Sequence, residues 1–446
     1  MLVALTGLVL SAAASAKPAD ACRSRGQAAL AAWTQGRDDQ VGKDFAPTIA
    51  AKLTPALLRQ VWGQLRAQAG TFESLGTLAP RPLDGEDALV APLAFSGTPL
   101  AAIIHCDGQD RIDGFRVVPA ASVKAPVATA EQTIPGVVSR PLPVPSPLGP
   151  LPGTLTLPQG AGPFPAVVLV AGSGAHDRDE TIGPNKPFRD LAAGLAAHGV
   201  ASLRYDKRTY VHAVRMAGKA ITVDDEVTDD ALAAAHLLAR QPGIDPHRLF
   251  VLGHSLGAMM APRIGRRDPQ LAGLVLLAAP ARALLDVSAG QVREQGRRHH
   301  RGAAQIAASE QAIAAERKLL AGADPRHPPT GSFGNLPQGY WLSLHDYRQV
   351  DVAKGLALPM LILQGDADFQ VSPTLDFARW EQALAGRPQT AFHLYPGLGH
   401  LFMPAGKTGT VADYAVPGHV DARVIDDIAA WIEAQPAHTA SAAGGS

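Results

Sequence analysis

The chain has 446 residues, 46% of them hydrophobic, and its 40 basic and 40 acidic side chains give a formal net charge of zero. That length supports two or three domains with sizeable cores, and the charge balance excludes a global field that would steer nucleic acid or an anionic membrane towards the chain. An aromatic content of 5% argues against a platform for stacking bases or sugars.

In chain order, residues 1–16 read as a signal peptide. Leu2–Leu10 is apolar, and Ala14-Ser15-Ala16 offers a cleavage site before Lys17. The run is too short to span a bilayer permanently, and no Lys or Arg precedes it; a retained hydrophobic helix is the other reading. The protein is thus expected to be periplasmic or secreted, with no membrane span after cleavage. In that setting Cys22 and Cys106 are able to pair, closing a long loop worth about 4 kcal/mol. Two unpaired thiols, with Cys106 in an apolar strand, are the alternative. Two cysteines argue against structural zinc.

Residues 20–118 read as a small α+β domain. Helices are expected over Ala21–Thr34 and Leu53–Gln68, the second capped by Thr54 with Pro55 in its first turn. Strands are expected over Ala88–Phe95, Pro99–Cys106 and Ile112–Val118, with Asp107-Gly108 turning between the last two. Residues 119–150 are a Pro-rich linker, with Pro141, Pro143, Pro145 and Pro147 alternating. It is extended, and part of it suits an edge strand.

From 151 to 435 strands and helices alternate, the pattern of an α/β fold with a mostly parallel sheet flanked by helices. Strands are predicted at Pro165–Ala171, Val200–Asp206, Arg248–Gly253, Leu271–Ala279, Leu358–Gln364 and Thr390–Tyr395. Helices are predicted at Pro187–His198, Val223–Arg240 and Val420–Ala434. An insertion at about 283–350, with helices over Ala289–Leu320 and Gln338–Val350, is placed by sheet order above the strand ends, as a helical lid. Its cluster Arg297-Arg298-His299-His300-Arg301 reads as a solvated helix face rather than a metal or anion site. Residues 436–446, small and polar, read as a disordered tail.

The chemistry centres on Gly253-His254-Ser255-Leu256-Gly257. This G-x-S-x-G lies between an apolar strand and the opening of a helix, the setting in which a serine hydroxyl is thrust above a sheet edge. A serine nucleophile needs a base and an acid to orient it. Asp368 follows the strand ending at Gln364, with Asp366 as competitor, and His400 follows the last strand. Ser255 is expected to attack a carbonyl carbon, His400 to relay the proton, and Asp368 to fix the imidazole. The tetrahedral oxyanion needs backbone N–H donors: Leu256 supplies one, and the turn Ala171-Gly172-Ser173-Gly174 the other, from Ser173 first and Gly174 next. Neither a phosphate-cradling G-x-x-x-x-G-K-[ST] nor a dinucleotide fingerprint occurs. No cofactor and no metal is expected. The charged loop Asp177–Glu180 and the run Asp206-Lys207-Arg208 read as structural ion pairs, the alternative being Lys207 or Arg208 meeting an acidic substrate group. His254 reads as packing.

These residues, with Leu203-Arg204-Tyr205-Asp206-Lys207-Arg208 and Gly183-Pro184-Asn185-Lys186-Pro187-Phe188, resemble the α/β-hydrolase superfamily over about 151–434. Within it the chain is similar to exported bacterial esterase-like proteins related to dienelactone hydrolases and acyl-CoA thioesterases. Such proteins often carry an N-terminal domain of NTF2- or cystatin-like fold, which Trp62-Gly63-Gln64-Leu65 and Ala69-Gly70-Thr71-Phe72 resemble more weakly. The chain departs from a dienelactone hydrolase in having serine, not cysteine, as nucleophile. Ala171 stands where many relatives have histidine, a change that spares the backbone donor. The resemblance implies hydrolysis of small-molecule esters by a carboxylesterase-like serine hydrolase. Alternatives are a thioesterase or acyltransferase, a serine peptidase, or an inert hydrolase fold whose N-terminal domain binds a partner.

Overall fold

The computed structural model describes residues 20–438 apart from 84–85, 98, 124–136, 217–218, 299–301 and 335. The expected signal peptide, most of the linker's first half, His299 to Arg301 and tail residues 439–446 lie outside the described residues. Two compact units divide the chain, Met1–Ala128 and Thr129–Ser446.

In the first unit, helices Asp20–Thr34 and Pro55–Ala69 pack on an antiparallel sheet. The Thr54 hydroxyl accepts from the Leu57 N–H at 3.3 Å, capping the second helix as its sequence requires. The expected strands form over Glu86–Phe95, Leu100–Cys106 and Ile112–Pro119. Two further strands pair with Glu86–Phe95. One, Ala79–Leu83, holds Pro80 and Pro82, which only an edge strand tolerates; the other, Phe72–Leu75, is too short to show a period. Trp33 anchors the core, its indole N–H donating to the Leu58 carbonyl at 2.9 Å and its ring between Trp62 and Phe115. Cys22 and Cys106 form a disulfide, joining the first helix to the sheet across 84 positions.

The second unit is built on an eight-stranded sheet. Across it the strands run Thr390–Tyr395, Met360–Gly365, Gly273–Leu277, Ile244–His254, Phe164–Val170, Ala201–Tyr205, Gly153–Leu157 and Val138–Pro141. The first six are parallel, and the last two add antiparallel at the edge. Val138–Pro141 falls in the Pro-rich stretch, and its edge position accommodates Pro141. The central strands are Val- and Leu-rich because both faces are covered. The chain order reverses between Phe164–Val170 and Ile244–His254, and the crevice at their carboxyl ends is where an open α/β sheet binds ligands.

Helices differ from expectation at several points. Val223–Arg240 starts with a wide turn over Asp224–Thr228 before the α-helix Asp229–Leu238. The insertion holds two long helices, Leu284–Arg298 and Ala303–Ala321, where the sequence reads as one. Gly302 takes an extended conformation between them, and Gly296 lets the second helix approach: a Cβ there would meet Ile306 at 2.7 Å. After them come Gln338–His345 and Gln349–Lys354, two helices where one is expected over Gln338–Val350. Among the described residues, no helix is long and apolar enough to cross a membrane, and no group of three His, Cys, Asp or Glu could hold a metal ion.

Candidate active site

The strand Ile244–His254 ends at Ser255, whose backbone sits at φ 53° and ψ −115° before the helix Leu256–Arg267 begins. A non-glycine residue there is strained. The flanking glycines make the turn feasible. A Cβ on Gly257 would lie 2.1 Å from the Val170 carbonyl oxygen, and one on Gly253 would lie 2.3 Å from the backbone of Gly257. The Ser255 N–H is fixed to the Leu277 carbonyl at 2.9 Å on the neighbouring strand.

Asp368 and His400 come from adjacent loops that are laced together. The Ala367 N–H donates to the Leu398 carbonyl at 3.1 Å, and a Cβ on Gly365 would collide with that same oxygen at 2.2 Å. His400 Nδ1 lies 2.8 Å from Asp368 Oδ2, with both side chains buried. Asp368 Oδ2 also accepts from Gln364 Nε2 at 2.8 Å, and Oδ1 accepts the N–H groups of Gln370 and Val371 at 2.7 and 3.0 Å. Four donors thus satisfy the carboxylate and fix the ring. Asp366, the competing acid, is exposed and accepts only from the Gly397 N–H among the described residues.

The structure brings Ser255 to this cluster through its neighbours. A Cβ on Gly172 would sit 3.3 Å from Ser255 Cβ, and the His254 ring lies 4.7 Å from the His400 ring. No direct hydrogen bond joins Ser255 to His400 among the described residues; such bonds are often long until substrate binds. Leu256 is the first residue of its helix, where the N–H has no intrahelical partner. Ser173 and Gly174 are exposed at the turn. The Gly174 N–H donates to Glu226 Oε1 at 3.3 Å.

Two buried ion pairs hold this turn; the first is of the structural kind that the sequence leads one to expect, and the second is not legible there. Lys207 Nζ donates to the Gly172 carbonyl and to Glu226 Oε1, both at 2.7 Å. Arg208 donates twice to Asp230, at 3.0 and 2.6 Å. Both cations are therefore engaged within the fold, as the structural reading expects. In the second pair Glu180 Oε1 accepts the Gly172 N–H at 2.6 Å and faces His254 Nδ1 at 2.9 Å, while His254 Nε2 faces the His400 carbonyl at 2.9 Å. Burial opposes both charges, but the pair's attraction and hydrogen bond prevail: the Glu180 carboxyl is held below its ordinary range and the His254 ring is raised. His254 is thus more than packing, and its only sequence signal was its place beside Ser255. His176, whose Nε2 lies 2.8 Å from the Ser173 carbonyl, is lowered by burial.

The insertion reaches the same edge of the sheet. Gln291 Nε2 donates to the carbonyl of Gln370, two residues past Asp368, at 3.0 Å. The Tyr340 hydroxyl is raised by burial and by Glu226, the residue that meets Gly174.

Comparison with known proteins places the chain. The profile of a family described as "Alpha/beta hydrolase family" matches residues 167–412. Esterase EstD of Thermotoga maritima is 33% identical over 391 residues, covering 86% of this chain and 89% of that protein. Among solved structures, Est1E from Butyrivibrio proteoclasticus aligns with a TM-score of 0.43 at 15% identity, over 66% of this chain and 99% of that one. An esterase domain from Rhodothermus marinus aligns with a TM-score of 0.40 at 17% identity, over 66% and 97%. The profile match over more than half the chain and the near full-length likeness to EstD agree with the sheet and the serine turn: the chain belongs to the alpha/beta hydrolase family of enzymes.

Proposed function

We propose that the protein is a carboxylesterase-like serine hydrolase acting on small-molecule esters through an acyl-enzyme. The observation that carries this reading is the strained Ser255 beside the buried Asp368–His400 pair at the carboxyl edge of the sheet. Likeness to an esterase supports the bond type. His400 draws the proton from Ser255 Oγ as it attacks the ester carbonyl carbon, then passes it to the leaving alcohol. Asp368 keeps a proton on Nδ1, so that Nε2 is the basic nitrogen, and steadies the imidazolium. Water repeats the sequence on the acyl-enzyme and frees the acid. The Leu256 and Ser173 N–H groups hold the oxyanion, each worth roughly 3–4 kcal/mol in the transition state; Gly174 serves the turn through Glu226. The insertion is the lid over this site.

Turnover of p-nitrophenyl esters from acetate to palmitate tests the reading. Hydrolysis with a chain-length optimum is expected; no hydrolysis of any member would overturn it. The reading includes export: the apolar run and A-x-A site support it, and the Cys22–Cys106 bridge suits an oxidising compartment. N-terminal sequencing of the exported protein is expected to start at Lys17.

A further inference from the structure

We propose that Glu180 and His254 form a positioning pair that locks the oxyanion turn and the His400 loop at a fixed spacing around Ser255. The inference rests on the serine-hydrolase reading and concerns residues that neither attack nor relay a proton.

The argument starts from the hydrogen bonds. The His400 carbonyl can only accept, so His254 Nε2 carries a proton. Glu180 Oε1 accepts the Gly172 N–H, and the facing ring and that N–H hold its carboxyl below the ordinary range against burial, so it meets His254 Nδ1 as a carboxylate oxygen and Nδ1 donates. The ring is therefore doubly protonated, an imidazolium paired with a carboxylate, with side chains 5% and 1% exposed. Each contact ends on a different catalytic part. Gly172 precedes the oxyanion donor Ser173, His254 precedes the nucleophile, and His400 is the base. One ion pair thus ties together three segments that the chain brings from distant positions.

The fold also bears costs to present Glu180. The residue sits at φ 51°, in the left-handed region. Its other oxygen, Oε2, is buried with no hydrogen-bond partner among the described residues. The preceding turn is pinned: Asp177 accepts the Asp179 and Thr181 N–H groups and the Thr181 hydroxyl, and Arg178 clasps Asp206. A pair kept only for stability would not need its acid on a strained residue aimed at the nucleophile turn. The carboxylate has a second use. It neutralises the positive charge that a lone His254 would place beside His400, whose own imidazolium must form in the transition state.

The test compares wild type, His254→Phe and Glu180→Gln. Each is titrated with a fluorophosphonate to count reactive serines, then assayed for kcat and KM on its best p-nitrophenyl ester, with melting followed in parallel. Displacing reacting groups by about 1 Å costs about a hundredfold in rate. We expect kcat per titrated site to fall by at least about tenfold in both variants, with KM within about threefold. The phosphonylation rate should fall with kcat, because that adduct also uses the oxyanion turn. A kcat per titrated site within twofold of wild type in Glu180→Gln, whatever the melting temperature, would overturn the proposal and leave the pair as a structural one. Glu180→Gln, nearly isosteric, decides the matter if His254→Phe fails to fold. A wild type that neither hydrolyses nor labels would instead overturn the serine-hydrolase reading, and this inference with it.

Discussion

Gly257 has no room for a side chain, because the Val170 carbonyl occupies the place of its Cβ at 2.1 Å. Backbone on both sides of the turn leaves only distortion as a response. Gly257→Ala is therefore expected to cost about 1–3 kcal/mol or more and to lose activity by moving Ser255; a denaturation midpoint with parallel ester assays checks it. Ser255→Ala should melt close to wild type yet lose turnover by about a millionfold, down to the rate that binding and the oxyanion donors sustain. Asp368→Asn keeps the shape but favours the wrong imidazole tautomer, for a loss of about ten-thousandfold in kcat. The Glu180–His254 pair also predicts a pH dependence of stability. His254 is raised when folded, so its contribution is complete below its ordinary 6.5 and fades as pH climbs through the raised value. Glu180 is lowered when folded, so its contribution is complete above 4.5 and fades as pH falls through the lowered value. Melting across pH should show both limbs, and His254→Phe should remove the alkaline one. At this scale the sequence made Ser255, Asp368 and His400 legible as candidates because each follows a readable strand. It hid the role of Glu180, because the carboxylate meets His254 across 74 positions and no local pattern records that contact.

Elements were legible where hydrophobic periodicity was strong. The buried strands around Phe164–Val170 and Gly273–Leu277 are apolar throughout, and their ends were displaced by only one or two residues. Ala79–Leu83 was not legible, since two prolines mask a strand that survives at an edge. The insertion hid its break because Gly302 stands among strong helix formers, and the packing of Gly296 on Ile306 that requires the reversal is a tertiary contact. The clamp between Lys207 and Glu226 joins the run after the strand Ala201–Tyr205 to the wide helical turn Asp224–Thr228. Lys207→Met leaves Glu226 buried without its cation. It should destabilise the protein by about 3–5 kcal/mol and lower kcat through the freed Gly172 carbonyl; denaturant unfolding and kinetics check the two parts.

At the scale of the whole molecule, two units with separate cores imply separable unfolding. The Cys22–Cys106 bridge lies wholly within the first, where closing so long a loop is worth about 4 kcal/mol. Calorimetry with and without reductant should shift the transition of the first unit and leave that of the hydrolase unit in place. The central claim is that Ser255 is the nucleophile of an ester-cleaving enzyme, and intact-mass and peptide mapping after fluorophosphonate treatment tests it most directly. One adduct per chain on the Ser255 peptide, absent from Ser255→Ala and coincident with loss of ester turnover, is the result expected. Turnover that persists in Ser255→Ala, or an adduct on another residue, would contradict it.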